Sequence, residues 1–135
     1  MADTLTPEQR RRCMSRVKGK DTSPERIVRS FVHRLGYRFR LHARDLPGKP
    51  DIVLPRHRKV VFVHGCFWHG HKRCPRSGRP VTNKAFWKKK LDGNMERDER
   101  DQRRLRRLGF RVLVVWECQV KSGAFEQRMT RFLEG

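Results

Sequence analysis

Acidic residues are scarce in this chain. Its 135 residues carry 14 Asp and Glu against 34 Lys and Arg, for a formal net charge of +20 and a pI near 11.4. So large a surplus on so small a surface points to a polyanion, nucleic acid first. The basic residues run along the whole chain, which speaks against a localised contact with an anionic membrane. Long apolar runs are also lacking, and none approaches the roughly 20 residues that span a bilayer. The opening is polar, with Arg10, Arg11 and Arg12 soon after it, so no secretory leader is expected and the cytoplasm is the expected compartment. Cysteine is limited to Cys13, Cys66, Cys74 and Cys118. In a cytoplasmic DNA-binding chain these are read as metal ligands or buried thiols rather than disulfides. No repeat and no second domain is visible. The length is one domain's worth, enough to bury its own core.

What is present reads as an α/β domain in the order α-α-β-β-β-α-β-α. Thr6-Pro7-Glu8 opens a basic helix to about Val17, with an N-cap hydroxyl and then proline at the first helical position. Residues 1–20 are expected to form a basic N-terminal arm, and residues 21–135 a single domain. Ser23-Pro24-Glu25 repeats the start signal. Val28, Phe31, Val32 and Leu35 then make one apolar stripe, which Gly36 ends. Strands are predicted over Tyr37–Leu41, Asp51–Leu54, Lys59–Val63 and Phe110–Trp116, the last two being rich in β-branched residues. Asn83 is placed to cap a helix that Asp92-Gly93 interrupts before a charged continuation from Met95 to Leu108. A last helix runs from Ala124 to Leu133.

Two stretches carry chemistry. Asp51 follows the rigid Leu46-Pro47-Gly48-Lys49-Pro50 loop and begins a strand. A carboxylate fixed there suits a hard cation such as Mg²⁺, which polarises a phosphate; a turn or strand-capping aspartate is the alternative. Nucleases of the broad PD-(D/E)xK fold place Glu-x-Lys on the next strand, where this chain has Val63-His64-Gly65. The second stretch runs from Val63 to Cys74. Cys66-x₄-His71-x₂-Cys74 offers three ligands in one loop, and Cys118 offers a fourth for a closed tetrahedral zinc site. Cys13, His64 and His69 compete for that place. His69 has the chemistry of a general base, and His64 that of a phosphate or water contact. Phe67, Trp68, Phe86 and Trp87 stand among Lys72, Arg73, Arg76, Arg79, Lys88, Lys89 and Lys90. They are either core or a wedge that opens a base step.

Taken together, Asp21-Thr22 with Glu25, Leu46-Pro47-Gly48-Lys49-Pro50-Asp51, His64-Gly65-Cys66-Phe67-Trp68-His69, Phe86-Trp87, Asn94-x-Glu96-Arg97-Asp98 and the run from Arg111 to Cys118 closely resemble the very-short-patch repair endonucleases. The resemblance spans about residues 10 to 120 in the family's order. It implies a restriction-endonuclease-like core, a mixed central sheet flanked by helices, with a structural zinc site. It implies a Mg²⁺-dependent enzyme that nicks one strand of double-stranded DNA 5′ to the thymine of a T:G mismatch. The enzyme would act as a single copy, with contacts to other repair proteins left open. By the same resemblance Asp51 and the Val63 carbonyl hold Mg²⁺, His69 is the general base, His64 assists at the phosphate, and Glu25 belongs to the surroundings. Val63 stands where the family often has threonine. Cys66, His71, Cys74 and Cys118 match the zinc ligands, the last loop cysteine being displaced by one residue. Phe67, Trp68 and Trp87 match the wedge, Lys90 and Asn94 match residues near the mismatched bases, and Met14 lies on the arm that clasps DNA.

Overall fold

The computed structural model describes residues 23–135; the basic arm, with Met14 and Cys13, lies outside them. Helix α1 (Ser23–Arg34) leads to β1 (Arg40–Leu41), β2 (Ile52–Leu54) and β3 (Lys59–His64). Then come the long helix α2 (Lys84–Arg107), β4 (Arg111–Trp116), and helices α3 (Glu117–Ser122) and α4 (Phe125–Glu134). The four strands form one mixed sheet in the order β1-β2-β3-β4. Its first two pairings are antiparallel, and β3 and β4 are parallel. Helix α2 makes the crossover that a parallel pair requires.

The pleat sends alternate residues to opposite faces, and both faces are covered. Ile52, Leu54, Val61, Leu113 and Val115 point to one core with Val28 and Val32 of α1, Val120 of α3, and Phe125, Met129 and Leu133 of α4. Val53, Val60 and Phe62 point the other way, to a second core with Ala43 and with Leu105 of α2. Burial on both sides explains why β2 and β3 read as continuous apolar runs rather than alternating ones.

Three local expectations differ from the structure, and one short helix was not expected. Only Arg40–Leu41 of the Tyr37–Leu41 run joins the ladder, while Tyr37 and Phe39 pack against the first core instead. Asp92-Gly93 does not interrupt α2, because the buried Leu91 and Leu105 hold one continuous helix to the body. Asn83 lies in the left-handed region (φ 55°) and makes no side-chain cap. The short helix α3, which buries Val120, had no periodicity long enough to mark it. Among the described residues no helix is long and apolar enough to cross a membrane.

Candidate active site

Asp51 precedes β2, His64 ends β3 and Trp116 ends β4. Antiparallel pairing of β2 with β3 and parallel pairing of β3 with β4 bring all three to one edge of the sheet. That edge, at the carboxyl ends of β3 and β4, is where open α/β sheets place their ligands. The Val63 backbone N–H donates to Asp51 Oδ2 at 2.6 Å. Burial pushes the Asp51 carboxyl up to about 7 from its ordinary 3.8. The Val63 hydrogen bond opposes this, the Glu25 carboxylate adds to it, and His69 pulls the other way. Glu25 comes from the first turn of α1 and is 9% exposed. One ligand atom from each of Glu25, His42 and Asp51 lies within 4.8 Å of the others, a set able to hold a cation.

Beyond His64 the chain folds into a tight loop. His69 N–H donates to Gly65 O, Gly70 N–H to Phe67 O and His71 N–H to Cys66 O. This turns His69 back over His64, so the two imidazoles stack at 3.8 Å with 7° between their planes. Trp116 meets His64 edge-on at 5.2 Å. Burial drives the His64 pKa down to about 3, with the neighbouring His69 adding to the effect and Asp98 opposing it. His64 is therefore a neutral imidazole at physiological pH. Its Nδ1 is buried and has no hydrogen-bond partner among the described residues. His69 Nδ1 lies 2.6 Å from Asp98 Oδ2, contributed by α2. A carboxylate at Nδ1 selects the tautomer with Nε2 unprotonated and able to accept a proton.

The same loop carries the sulfur ligands. Cys66, His71, Cys74 and Cys118 also offer ligand atoms within 4.8 Å of one another. Cys118 Sγ and His71 Nδ1 are 3.4 Å apart, and the Cys118 N–H reaches Cys66 Sγ at 3.4 Å. Tetrahedral zinc with Zn–S bonds near 2.3 Å needs ligand separations of roughly 3.8 Å, so three sulfurs and one imidazole fit it. Burial pushes the Cys66 thiol up to about 12, a cost that a bound dication removes. His71 stacks on Trp116 at 4.2 Å, and Ser77 Oγ donates to the His71 and Cys74 carbonyls. Of the rivals for the fourth position, His64 and His69 belong instead to a cluster with Asp98, and Cys13 lies outside the described residues.

Phe67, Trp68, Phe86 and Trp87 take no part in either core. Phe67 packs edge-on against Trp68 (5.1 Å) and Trp87 (5.5 Å), Trp68 lies 6.0 Å from Trp87, and Phe86 is 59% exposed. They form a half-exposed cluster beside the histidines. Asn94 Nδ2 donates to the Trp68 carbonyl at 2.9 Å and fixes its backbone. Lys90 is exposed on α2. Asn94 and Asp98 stand four residues apart on α2, so one helical face supports both Trp68 and His69. Neither His42 nor Asp98 is marked as a site residue by its residue type and spacing alone. Asp98 was visible only inside the Asn94-x-Glu96-Arg97-Asp98 string, and His42 left no signal but its residue type.

A strand-edge carboxylate, a carboxylate-held imidazole and a strongly basic chain define a hydrolase of phosphodiester bonds. Comparison with known proteins narrows the class. A family profile described as DNA mismatch endonuclease Vsr matches residues 2–76. The type II nicking enzyme V.XorIIP of Xanthomonas oryzae pv. oryzae is 49% identical over 135 residues, covering 99% of this chain and 98% of that protein. The type II nicking enzyme V.NmeAIP of Neisseria meningitidis is 41% identical over 134 residues, 98% of this chain and 95% of that protein. The DNA mismatch endonuclease Vsr of Escherichia coli is 42% identical over 122 residues, 90% of this chain and 78% of that protein. The chain belongs to the Vsr family of DNA mismatch endonucleases. Its mixed sheet between helices fits a restriction-endonuclease-like fold.

Proposed function

We propose that this endonuclease nicks one DNA strand 5′ to the thymine of a T:G mismatch, the lesion left when 5-methylcytosine deaminates, with Mg²⁺ as its catalytic cation and Zn²⁺ as a structural one. One observation carries the reading: Phe67 and Trp68 share a single loop with His69, Trp87 of α2 packs against both rings, and His69 is near enough to Asp51 to act on its charge. A mispaired step is weakly stacked and costs less to open than a matched one, so rings inserted there set the reactive residues beside a mismatch.

In this reading Asp51 and the Val63 backbone hold Mg²⁺, and Glu25 borders them. When bound, Mg²⁺ polarises the scissile phosphate and offsets its developing charge. His69, oriented by Asp98, takes the proton of the attacking water at Nε2. Neutral His64 stacks behind His69 and contacts the phosphate. Phe67, Trp68 and Trp87 wedge the step, Asn94 steadies Trp68, Lys90 reaches the mismatched bases, and the arm with Met14 clasps the duplex. Cys66, His71, Cys74 and Cys118 hold Zn²⁺, which ties the reactive loop to the residues after β4. One nick needs one active site, so a single copy suffices.

A strand-specific nicking assay tests this with a T:G duplex beside its T:A and C:G controls, with and without Mg²⁺. A Mg²⁺-dependent nick 5′ to the mismatched thymine alone is the expected result. Equal cutting of all three duplexes would remove the mismatch target and leave the nuclease. Binding with no cutting across several flanking sequences would remove the catalytic assignment.

A further inference from the structure

His42 has no role in the mechanism above, yet the fold takes trouble to place it. Its backbone N–H donates to Asp51 O at 3.1 Å, which extends the β1–β2 pairing one step past Leu41 and Ile52. At that step the chain turns through the left-handed region, with φ 51° at His42. Such a conformation is uncommon for a residue with a Cβ and persists where surrounding contacts hold it. The turn brings the imidazole to the carboxylates of α1 and β2. His42 Nε2 lies 3.7 Å from Glu25 Oε2, and the two side chains are 18% and 11% exposed. The Asp51 carboxylate completes a group of three whose ligand atoms all fall within 4.8 Å of one another.

We propose that His42 is a third protein donor to the catalytic cation, making a mixed site of Glu25, His42 and Asp51 that takes Mn²⁺ as well as Mg²⁺; the assignment rests on Asp51 being the carboxylate that holds the cation. The spacing has the right scale. Donors about 2.1 Å from a six-coordinate ion stand roughly 3 Å apart when adjacent and roughly 4 Å apart when opposed. The 3.7 Å between His42 and Glu25 lies inside that range. The chemistry then sets the preference. Mg²⁺ favours oxygen donors and gains little from an imidazole, whereas a transition cation gains more. His42 should therefore matter more for Mn²⁺ than for Mg²⁺.

The test uses the full, zinc-loaded chain without DNA, with Mn²⁺ as probe. Electron spin-echo envelope modulation reads directly bound ¹⁴N, and a Mn²⁺ titration with Mg²⁺ competition reads affinity. The ¹⁴N signature is expected in the wild type and in His69→Ala, and is expected to vanish in His42→Ala and His42→Gln. Mn²⁺ affinity should fall roughly tenfold or more in both His42 variants, at least the loss seen when a supporting residue of a metal site is removed. His42→Gln, which supplies an oxygen donor of similar reach, should keep its Mg²⁺ affinity. A nitrogen signature that survives in His42→Ala, unchanged Mn²⁺ affinity in that variant, or a wild type that binds no Mn²⁺ would each overturn the third donor. Asp51→Ala separates the two levels: if it binds Mn²⁺ as the wild type does, the cation assignment to Asp51 itself fails. Thermal melts of each variant establish that it is folded when it is measured.

Discussion

Asp51 shows a conflict between stability and function at a single side chain. Its carboxyl titrates near 7 in the fold and near 3.8 when free. Between those values the folded protein keeps a proton that the unfolded chain has released. The Asp51 contribution to the stability of the metal-free protein therefore falls as pH rises from about 4 to about 7 and changes no further above that. His64, pushed down to about 3, contributes in the opposite sense up to its free value, so the Asp51 effect is read as the difference between wild type and variant. Asp51→Asn removes the buried charge. The metal-free variant should melt above the wild type at pH 8, by on the order of a few kcal/mol, and the gap should close near pH 4. Calorimetry at the two pH values checks this. Added Mg²⁺ should stabilise the wild type and not the variant, because only a cation that binds the folded state shifts the equilibrium. Nicking should be lost in the same variant. Asp98→Asn acts differently, since it leaves the imidazole of His69 in place without the carboxylate that selects its tautomer. We expect kcat to drop by roughly a hundredfold while affinity for mismatched duplex holds. An equal loss in binding would mean that Asp98 supports the loop and not the base.

At the scale of elements, the reactive loop between β3 and α2 is built on close approach. Gly70 lies between His69 and His71 with φ +64°, and a Cβ added there would come within 2.5 Å of Met95 Sδ on α2. The left-handed backbone alone costs an alanine roughly 1–2 kcal/mol, and the contact forces the Met95 side chain to move. Gly70→Ala should push the loop away from α2 and disturb the flanking histidines together. Zinc content and nicking rate should both fall. Retention of full zinc with lost nicking would confine the damage to His69. Helix α2 acts as the brace for this loop. Leu91 and Leu105 are buried against the body, and Asn94 and Asp98 between them hold Trp68 and His69. The buried Lys59 plays a similar part at the far side, where its Nζ donates to the Leu133 carbonyl at the end of α4.

For the molecule as a whole, a net charge of +20 makes association with DNA an ion-exchange reaction. A chain contacting six to ten phosphates loses roughly 10³–10⁵ in affinity between 50 and 200 mM salt. We expect matched and mismatched duplexes to show nearly the same salt slope, because phosphates carry no mismatch information. Their difference in affinity should therefore persist as salt is raised; a preference that disappears with salt would trace it to charge instead of the aromatic wedge. Zinc should matter to the whole fold as well. Held as proposed, it would join Cys66, His71 and Cys74 to Cys118 at the start of α3, two elements far apart in sequence. Stripping it with a strong chelator should lower the melting temperature and abolish nicking, and restored Zn²⁺ should recover both.

Much of this was legible in the linear sequence, for identifiable reasons. Periodicity marks α1 through Val28 and Val32, and β-branched runs mark β3 and β4, because burial of one stripe or one strand is a local property. The grouping of Cys66, His71, Cys74 and Cys118 was legible because soft ligands are rare and three of them fall within nine positions. The composition alone named a polyanion. Tertiary structure decided the rest, because it depends on which strand ends meet. Sheet pairing set Val63 against Asp51, and the crossover helix delivered Asp98 to His69 across 29 positions. A left-handed turn carried His42 to Glu25. Local sequence fixes what each residue can do, but only the closed sheet, with both faces covered, fixes what it stands beside.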